Sequence, residues 1–289
     1  MNSSQYLDII PLESSVCRAI ENSIEGSKIL VISGLPGVGK SIYVQLTQEL
    51  VSRKGKPFDI IQWDIARKAF ETKEILDIYP MGDGIVHNGV KLIAGKWLMD
   101  TLVDWIVANR DNERVLIIEA PLIGHRFVEL VKPNAEYWFE SYLSSDKLKF
   151  LVPIPSKKVR KKIEEARTVQ VSDDAAVWVG AKPSVMLLLW KYTCEIANKF
   201  GKNISLEGQP EYDPEIYKFV FKKILKHRYF IPLHIDEIYL IPAQSEDALH
   251  AKESIVADKK TANWIGRFIQ DLYTDSKEID VIVENWYIS

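Results

Sequence analysis

Residues 29–41 read ILVISGLPGVGKS. Four apolar residues of high strand propensity, Ile29 to Ile32, run into a turn that holds Gly34, Gly37 and Gly39 and ends on Lys40 and Ser41. Glycine at such a turn lets consecutive backbone N–H groups converge with no Cβ in the way, and converging amides make a cradle for phosphate oxygens. The spacing Gly34, four residues, then Gly39-Lys40-Ser41 supplies the remaining parts: an ammonium for the β- and γ-phosphates and a hydroxyl as a magnesium ligand. An amphipathic stretch follows, SIYVQLTQELVSRKG, with Val44, Thr47, Leu50 and Val51 on one face and Gly55 as a stop signal. A helix started here points the positive end of its dipole at the same anion. Strand, glycine turn and helix in this order imply ATP or another nucleoside triphosphate with magnesium, held by Gly34, Pro36, Gly37, Val38, Gly39, Lys40, Ser41 and Ile42.

Outward from this stretch, four more strand-like runs appear: FDIIQWD (58–64), RVLIIEA (114–120), LKFLVPI (148–154) and PLHIDEIYLI (232–241), the first run being KILVIS (28–33). The first four have continuous apolar centres, as a sheet covered on both faces requires. Helical patterns separate them, so the expected fold is α/β, a three-layer α/β/α sandwich around a mainly parallel five-stranded sheet. Residues 1–289 are expected to form a single domain. Two segments exceed a simple crossover. Residues 65–113 include the turn-rich YPMGDGIVHNG and are expected to be an acceptor-binding insertion. Residues 156–230 hold a charged helix, SKKVRKKIEEAR, and an apolar one with Met186, Leu189, Trp190, Thr193 and Ala197 on one face, and are expected to be a lid and helical insertion.

Composition narrows the function classes. With 289 residues, 47% of them hydrophobic, the chain can bury a sizeable core. A net charge of −3 gives no broad basic surface, so no nucleic acid is expected as a partner. Cys17 and Cys194 are too few for a disulfide framework and read as buried small residues. The longest apolar run, VMLLLW at 185–190, is too short to cross a bilayer, and the N-terminal residues show no basic start followed by an apolar core. A cytoplasmic protein without membrane association is the expectation. The five histidines show no metal-ligand spacing, and the eight tryptophans no repeat. Trp63, Trp97 and Trp105 suit either stacking on a flat base or core packing.

In the order of these motifs the chain resembles the P-loop kinases of small molecules, which include nucleoside and nucleotide kinases, uridine kinase and the zeta-toxin kinases. The resemblance spans most of residues 28–241 and is specific in the phosphate loop. It implies a P-loop NTPase fold and transfer of the γ-phosphate to a hydroxyl of a nucleoside, nucleotide or sugar-like metabolite. Residue by residue, it implies that Glu119, ending RVLIIEA, serves magnesium together with Ser41. Asp64, in Gln62-Trp63-Asp64-Ile65-Ala66-Arg67, becomes the base or anchor for the acceptor hydroxyl, although an N-cap role suits it too. Arg67 and Arg126 would contact the acceptor, Arg126 through an anionic group, and Asp83, His87 or Asn88 would read its hydroxyls or base. Arg160 and Arg167, seven apart and so near one helical face, would be the lid arginines that close over the transferred group. The loop from Pro242 to Gln244 would help to hold the nucleotide base. His125 suits a hydrogen-bond role or a structural one.

Hydrolysis-driven ATPases of the AAA type share GLPGVGK locally, but Ile117-Ile118-Glu119-Ala120-Pro121 lacks their Asp-Glu pair. No Asn-Lys-x-Asp for guanine is present. The competing readings are a regulatory or assembly NTPase that reports its nucleotide state to a partner protein, and a loop that binds nucleotide without chemistry.

Overall fold

The apolar runs become five strands: β1 (Ile29–Ile32), β2 (Phe58–Gln62), β3 (Val115–Glu119), β4 (Leu148–Pro155) and β5 (Tyr229–Ile235). All pair in parallel, in the order β2-β3-β1-β4-β5. The computed structural model describes residues 9–82, 86–134, 138–172, 182–239, 254–273 and 275–288, the side chains of 167–172 and 276 excepted. Successive residues of β1 serve opposite faces. Ile29 and Val31 join one apolar cluster with Ile61, Leu116, Ile118 and Phe150, while Leu30 and Ile32 join another with Ile117 and Leu151. Burial on both faces is why these strands show no polar alternation in sequence.

The helices are α1 (Ser15–Ile24), α2 (Lys40–Arg53), α3 (Trp63–Ala66), α4 (Lys73–Leu76), α5 (Asn88–Asn109), α6 (Glu140–Leu143), α7 (Lys157–Ser172), α8 (Pro183–Lys199), α9 (Pro214–Ile224), α10 (Lys259–Leu272) and α11 (Ser276–Glu284). α1 and α2 cover one face of the sheet, and α5, α8 and α9 the other. The chain is thus α/β, and its layering is compatible with a three-layer sandwich. α8 buries Met186, Leu189, Trp190, Thr193 and Ala197, the face its spacing predicts. Cys17 and Cys194 are free and buried.

The structure adds detail to three expectations. The second half of residues 65–113 is α5, a 22-residue crossover helix in the core. α5 buries Val90, Ile93, Leu98, Leu102 and Ile106, and it is apolar nearly all round because α10 and α11 pack on it from outside. Likewise α8 and α9, inside 156–230, carry core residues such as Trp190 and Phe221. The last strand starts and ends earlier than 232–241. Among the described residues it is an edge strand paired only with β4, so Tyr229 stays half exposed and Pro232 is tolerated without its N–H. At the opposite edge, Ile255 N–H donates to Ile60 O at 2.7 Å, so the C-terminal segment covers the free side of β2.

Candidate functional site

β1 pairs with β3 on one side and β4 on the other, so chain order switches direction at β1. In open parallel sheets ligands sit in the crevice outside the carboxyl ends of strands at such a point. The register carries specific residues there: Glu119 lies opposite both Ile32 and Gln62. Its carboxylate therefore stands at the sheet edge, one strand away from the start of the glycine loop.

The loop has the backbone that its glycines predict. Gly37 and Gly39 have φ of +80° and +86°, a region that side chains rarely adopt. A Cβ on Gly34 would come within 2.8 Å of Tyr217 Oη, and one on Gly37 within 2.8 Å of Met186 Cε, so the loop also packs too closely for larger residues. Tyr217, from α9, accepts the Leu35 N–H at 2.8 Å, and Pro36 has no N–H to offer. Tyr43 N–H bonds back to Gly39 O at 3.2 Å. Between them, the amides of Gly37, Val38, Gly39, Lys40, Ser41 and Ile42 have no hydrogen-bond partner among the described residues. Six successive unpaired donors at the start of a 14-residue helix form an anion nest reinforced by the helix dipole.

Lys40 Nζ donates to Leu35 O at 3.1 Å, curling over its own loop. Burial pushes its pKa down, while Glu119 and Asp64 pull it back up. Glu119, 7% exposed, accepts the Gln62 Nε2–H at 3.2 Å, and burial pushes its pKa up against the pull of Lys40. Each charge thus lacks enough water and looks to the other. Among the described residues no group of three His, Cys, Asp or Glu forms a metal cluster. Ser41 and Glu119 still fit magnesium, which takes few protein ligands and fills the rest of its octahedron with phosphate oxygens and water.

Asp64 sits in the first turn of α3, directly after β2, and Gln62 rather than Asp64 occupies the N-cap. Its side chain is 70% exposed and takes Arg67 Nε–H at 3.4 Å. Its negative charge pushes the pKa values of Lys40, Glu119 and Arg126 up. Arg67 also pairs with Glu71. Arg126 follows β3 in a turn whose backbone is left-handed at Gly124 (φ 98°), His125 (65°) and Phe127 (58°). For a bulky residue like Phe127 that is strained, and its ring is locked by an edge contact with Trp63 at 5.1 Å. Trp63, Trp97 and Trp105 are all buried, so they are core residues and not stacking platforms.

Two of the expected site residues have structural partners. His87 caps α5, its Nδ1 accepting the Gly89 N–H at 3.0 Å. Arg160 is not on a mobile arm. It is 1% exposed, donates Nη1–H to Pro36 O at 3.0 Å and Nε–H to Glu164 at 2.7 Å, and lies over the Tyr212 ring. It braces the glycine loop from behind as a fixed positive charge. The side chain of Arg167, together with Asp83 and the loop 242–244, lies outside the described residues.

Several residues were not singled out from the sequence. Gln62 orients Glu119, Tyr217 holds Leu35, and Tyr192 bonds to both His125 and the Trp286 indole N–H. A lone Gln ending FDIIQ was visible as a polar interruption of an apolar run. Near Arg126, Glu129 presses its carboxyl against the backbone of Gly95, and its Oε2 has no partner among the described residues. Burial raises its pKa to about 7. A carboxyl so raised favours the fold at acid pH, and that contribution is lost as pH climbs from its ordinary range through about 7. Glu129→Gln is expected to match the parent near pH 5 and to exceed it by up to about 3 kcal/mol at pH 8, read by urea unfolding at both pH values.

A polar depression of about 610 Å³ lies at the opposite end of the sheet, lined by Lys56, Phe58, Asp59 and Arg114. There Asp59 is already paired with Arg114 and with the Trp105 indole N–H, so it offers no free chemistry. No helix among the described residues is long and apolar enough to cross a membrane. Comparisons of the chain with protein-family models, curated proteins and solved structures return no match.

Proposed function

We propose that the chain is a P-loop phosphotransferase of the cytoplasm that moves the γ-phosphate of ATP, with magnesium, to a hydroxyl of a small metabolite. The observation that carries this reading is the run of six unpaired amides from Gly37 to Ile42, opposed across one strand by the buried Glu119. Such a nest matches a polyphosphate in charge and shape better than any other common metabolite group. In this reading the amides and Lys40 hold the β- and γ-phosphates, and Arg160 keeps the loop in shape. Ser41 and Glu119 hold magnesium, which when bound neutralises charge on the phosphate oxygens.

Asp64 receives the proton of the acceptor hydroxyl. A bond forms from that oxygen to the γ-phosphorus, the bond to the bridging β–γ oxygen breaks, and ADP leaves with the electron pair. An aspartate suffices because the transition state is loose and the proton moves late. Arg126 and Arg67 stand beside Asp64 to hold the acceptor. Transfer is favoured over hydrolysis as a motor step because an exposed carboxylate, Asp64, stands with its partner Arg67 directly after β2, where an acceptor would enter.

The test is direct. Incubation with γ-labelled ATP, magnesium and a pool of small metabolites is expected to place label in an organic product. Label found in free phosphate alone, and raised by a protein partner, would replace this reading with that of a regulatory NTPase.

A further inference from the structure

The two faces of α10 differ in kind. The inner one is closed: Ala262, Ile265, Gly266 and Ile269 are buried, and Asn263 accepts the Thr72 hydroxyl at 2.8 Å. A Cβ on Gly266 would come within 3.0 Å of Ile75 Cγ1, so the helix lies tightly on the segment that follows β2. The outer face carries Trp264, Phe268 and Leu272 at intervals of four, which sets them in one row along the helix. They are 61%, 40% and 55% exposed. The Trp264 and Phe268 rings stack, with centroids 6.0 Å apart and 16° between their planes. Lys96 lies over the Phe268 ring at 5.8 Å and is tied to Asp100, so a neutral ion pair closes the edge of the row toward α5. Exposed apolar residues scattered singly are ordinary, but an ordered aromatic row marks an interaction surface.

Charge along this row is antisymmetric. Lys260 stands at its N-terminal end, while Asp271, and Asp275 just beyond α10, stand at the other, and all three are exposed. Arg267 is exposed one turn before Asp271, and neither has an ion-pair partner among the described residues. Within one helix an acid followed by a base is the better order for pairing, so this reversed pair stays open to an outside partner. A second helix laid antiparallel about a two-fold axis near Phe268 sets each Trp264 against Leu272 of the second copy. The same operation brings Arg267 within one helical turn of the second copy's Asp271, and Lys260 within one turn of its Asp275. A parallel copy would set like charge on like. Opposite charges at the two ends of an apolar row are what a surface needs to recognise itself. We propose that the outer face of α10 is a dimerisation surface that packs antiparallel on the same face of a second copy of this chain.

Sedimentation equilibrium of the full chain at low salt, over the micromolar range, tests this. A monomer–dimer equilibrium with its dissociation constant in that range is expected, since one helix pair buries less area than a standard interface. Phe268→Glu changes an exposed position, so it is expected to keep the parent's circular dichroism spectrum and to dimerise at least about 30-fold more weakly. Arg267→Asp and Asp271→Arg are each expected to weaken self-association by about tenfold, because like charges then meet twice across the axis. An equimolar mixture of those two variants is expected to regain dimers, now heterodimers, at close to the parent affinity. A chain that stays monomeric throughout the range overturns the proposal and leaves the row to a different partner. A dimer that Phe268→Glu leaves intact overturns it as well. Dimers lost in Phe268→Glu but not recovered in the mixture overturn the antiparallel pairing.

Discussion

Lys40→Ala is expected to lower phosphoryl transfer by about 10³-fold or more at saturating nucleotide. Lys40 is the one ammonium that the loop itself carries, at the first position of α2, and its Nζ reaches back to Leu35 O at 3.1 Å. That short tether keeps its charge at the loop formed by residues 37–42, where in the proposed transfer negative charge would accumulate as the terminal phosphoryl group leaves. Inside a desolvated site one fixed charge is worth several kcal/mol more in the transition state than in water. Backbone geometry does not depend on it, because Gly37, Gly39, Tyr217 and Arg160 set the turn. The variant is therefore expected to stay folded, as read by circular dichroism, and to fail in single-turnover transfer. Transfer at the parent rate would take the loop out of the chemistry.

How much of this was legible depends on whether a residue's role is set locally. The strand cores were, because burial on both faces forces apolar runs such as Ile29–Ile32 and Val115–Ile118. So was the glycine loop, whose φ values follow from the residue types themselves. Position at the sheet edge was legible for Glu119, since an acid ending a buried strand has nowhere else to go. The misreadings share one cause, which is that a helix pattern reports that a face is buried and not what covers it. α5 looked like part of an insertion because residues 65–113 exceed a simple crossover and begin with a turn-rich stretch, while its apolar outer side is explained by the packing of α10 and α11. Arg160 looked like a solvated or mobile charge because its helix is highly charged, yet it has Pro36 O, Glu164 and the Tyr212 ring as partners. Pro36 and Tyr212 are distant in sequence and gave no local sign of it. His87 was read for its chemistry when its place just before a helix pointed equally to a cap.

Asp64→Asn is expected to reduce transfer by roughly 10²–10⁴-fold while leaving nucleotide affinity nearly unchanged. The substitution keeps size and shape at a position whose backbone is fixed on both sides by buried neighbours, Trp63 and Ala66. It removes only the negative charge and the ability to take a proton. The exposure of Asp64 suits that role, since a base must meet an incoming hydroxyl, and its charge acts on Lys40, Glu119 and Arg126. The variant also separates two functions of the acid. If Asp64 chiefly holds Arg67 and Arg126 in place, the loss appears as weaker acceptor binding with the rate at saturation preserved. If it takes the proton, the rate at saturating acceptor falls and acceptor affinity changes little. The second pattern is the expected one, because Arg67 has a second carboxylate partner in Glu71 and Arg126 retains Glu119 as a compensating charge. Full activity in Asp64→Asn would require another base, and among the described acids that act on Lys40 only Glu119 would remain, already bonded to Gln62 and, in the proposed mechanism, assigned to magnesium.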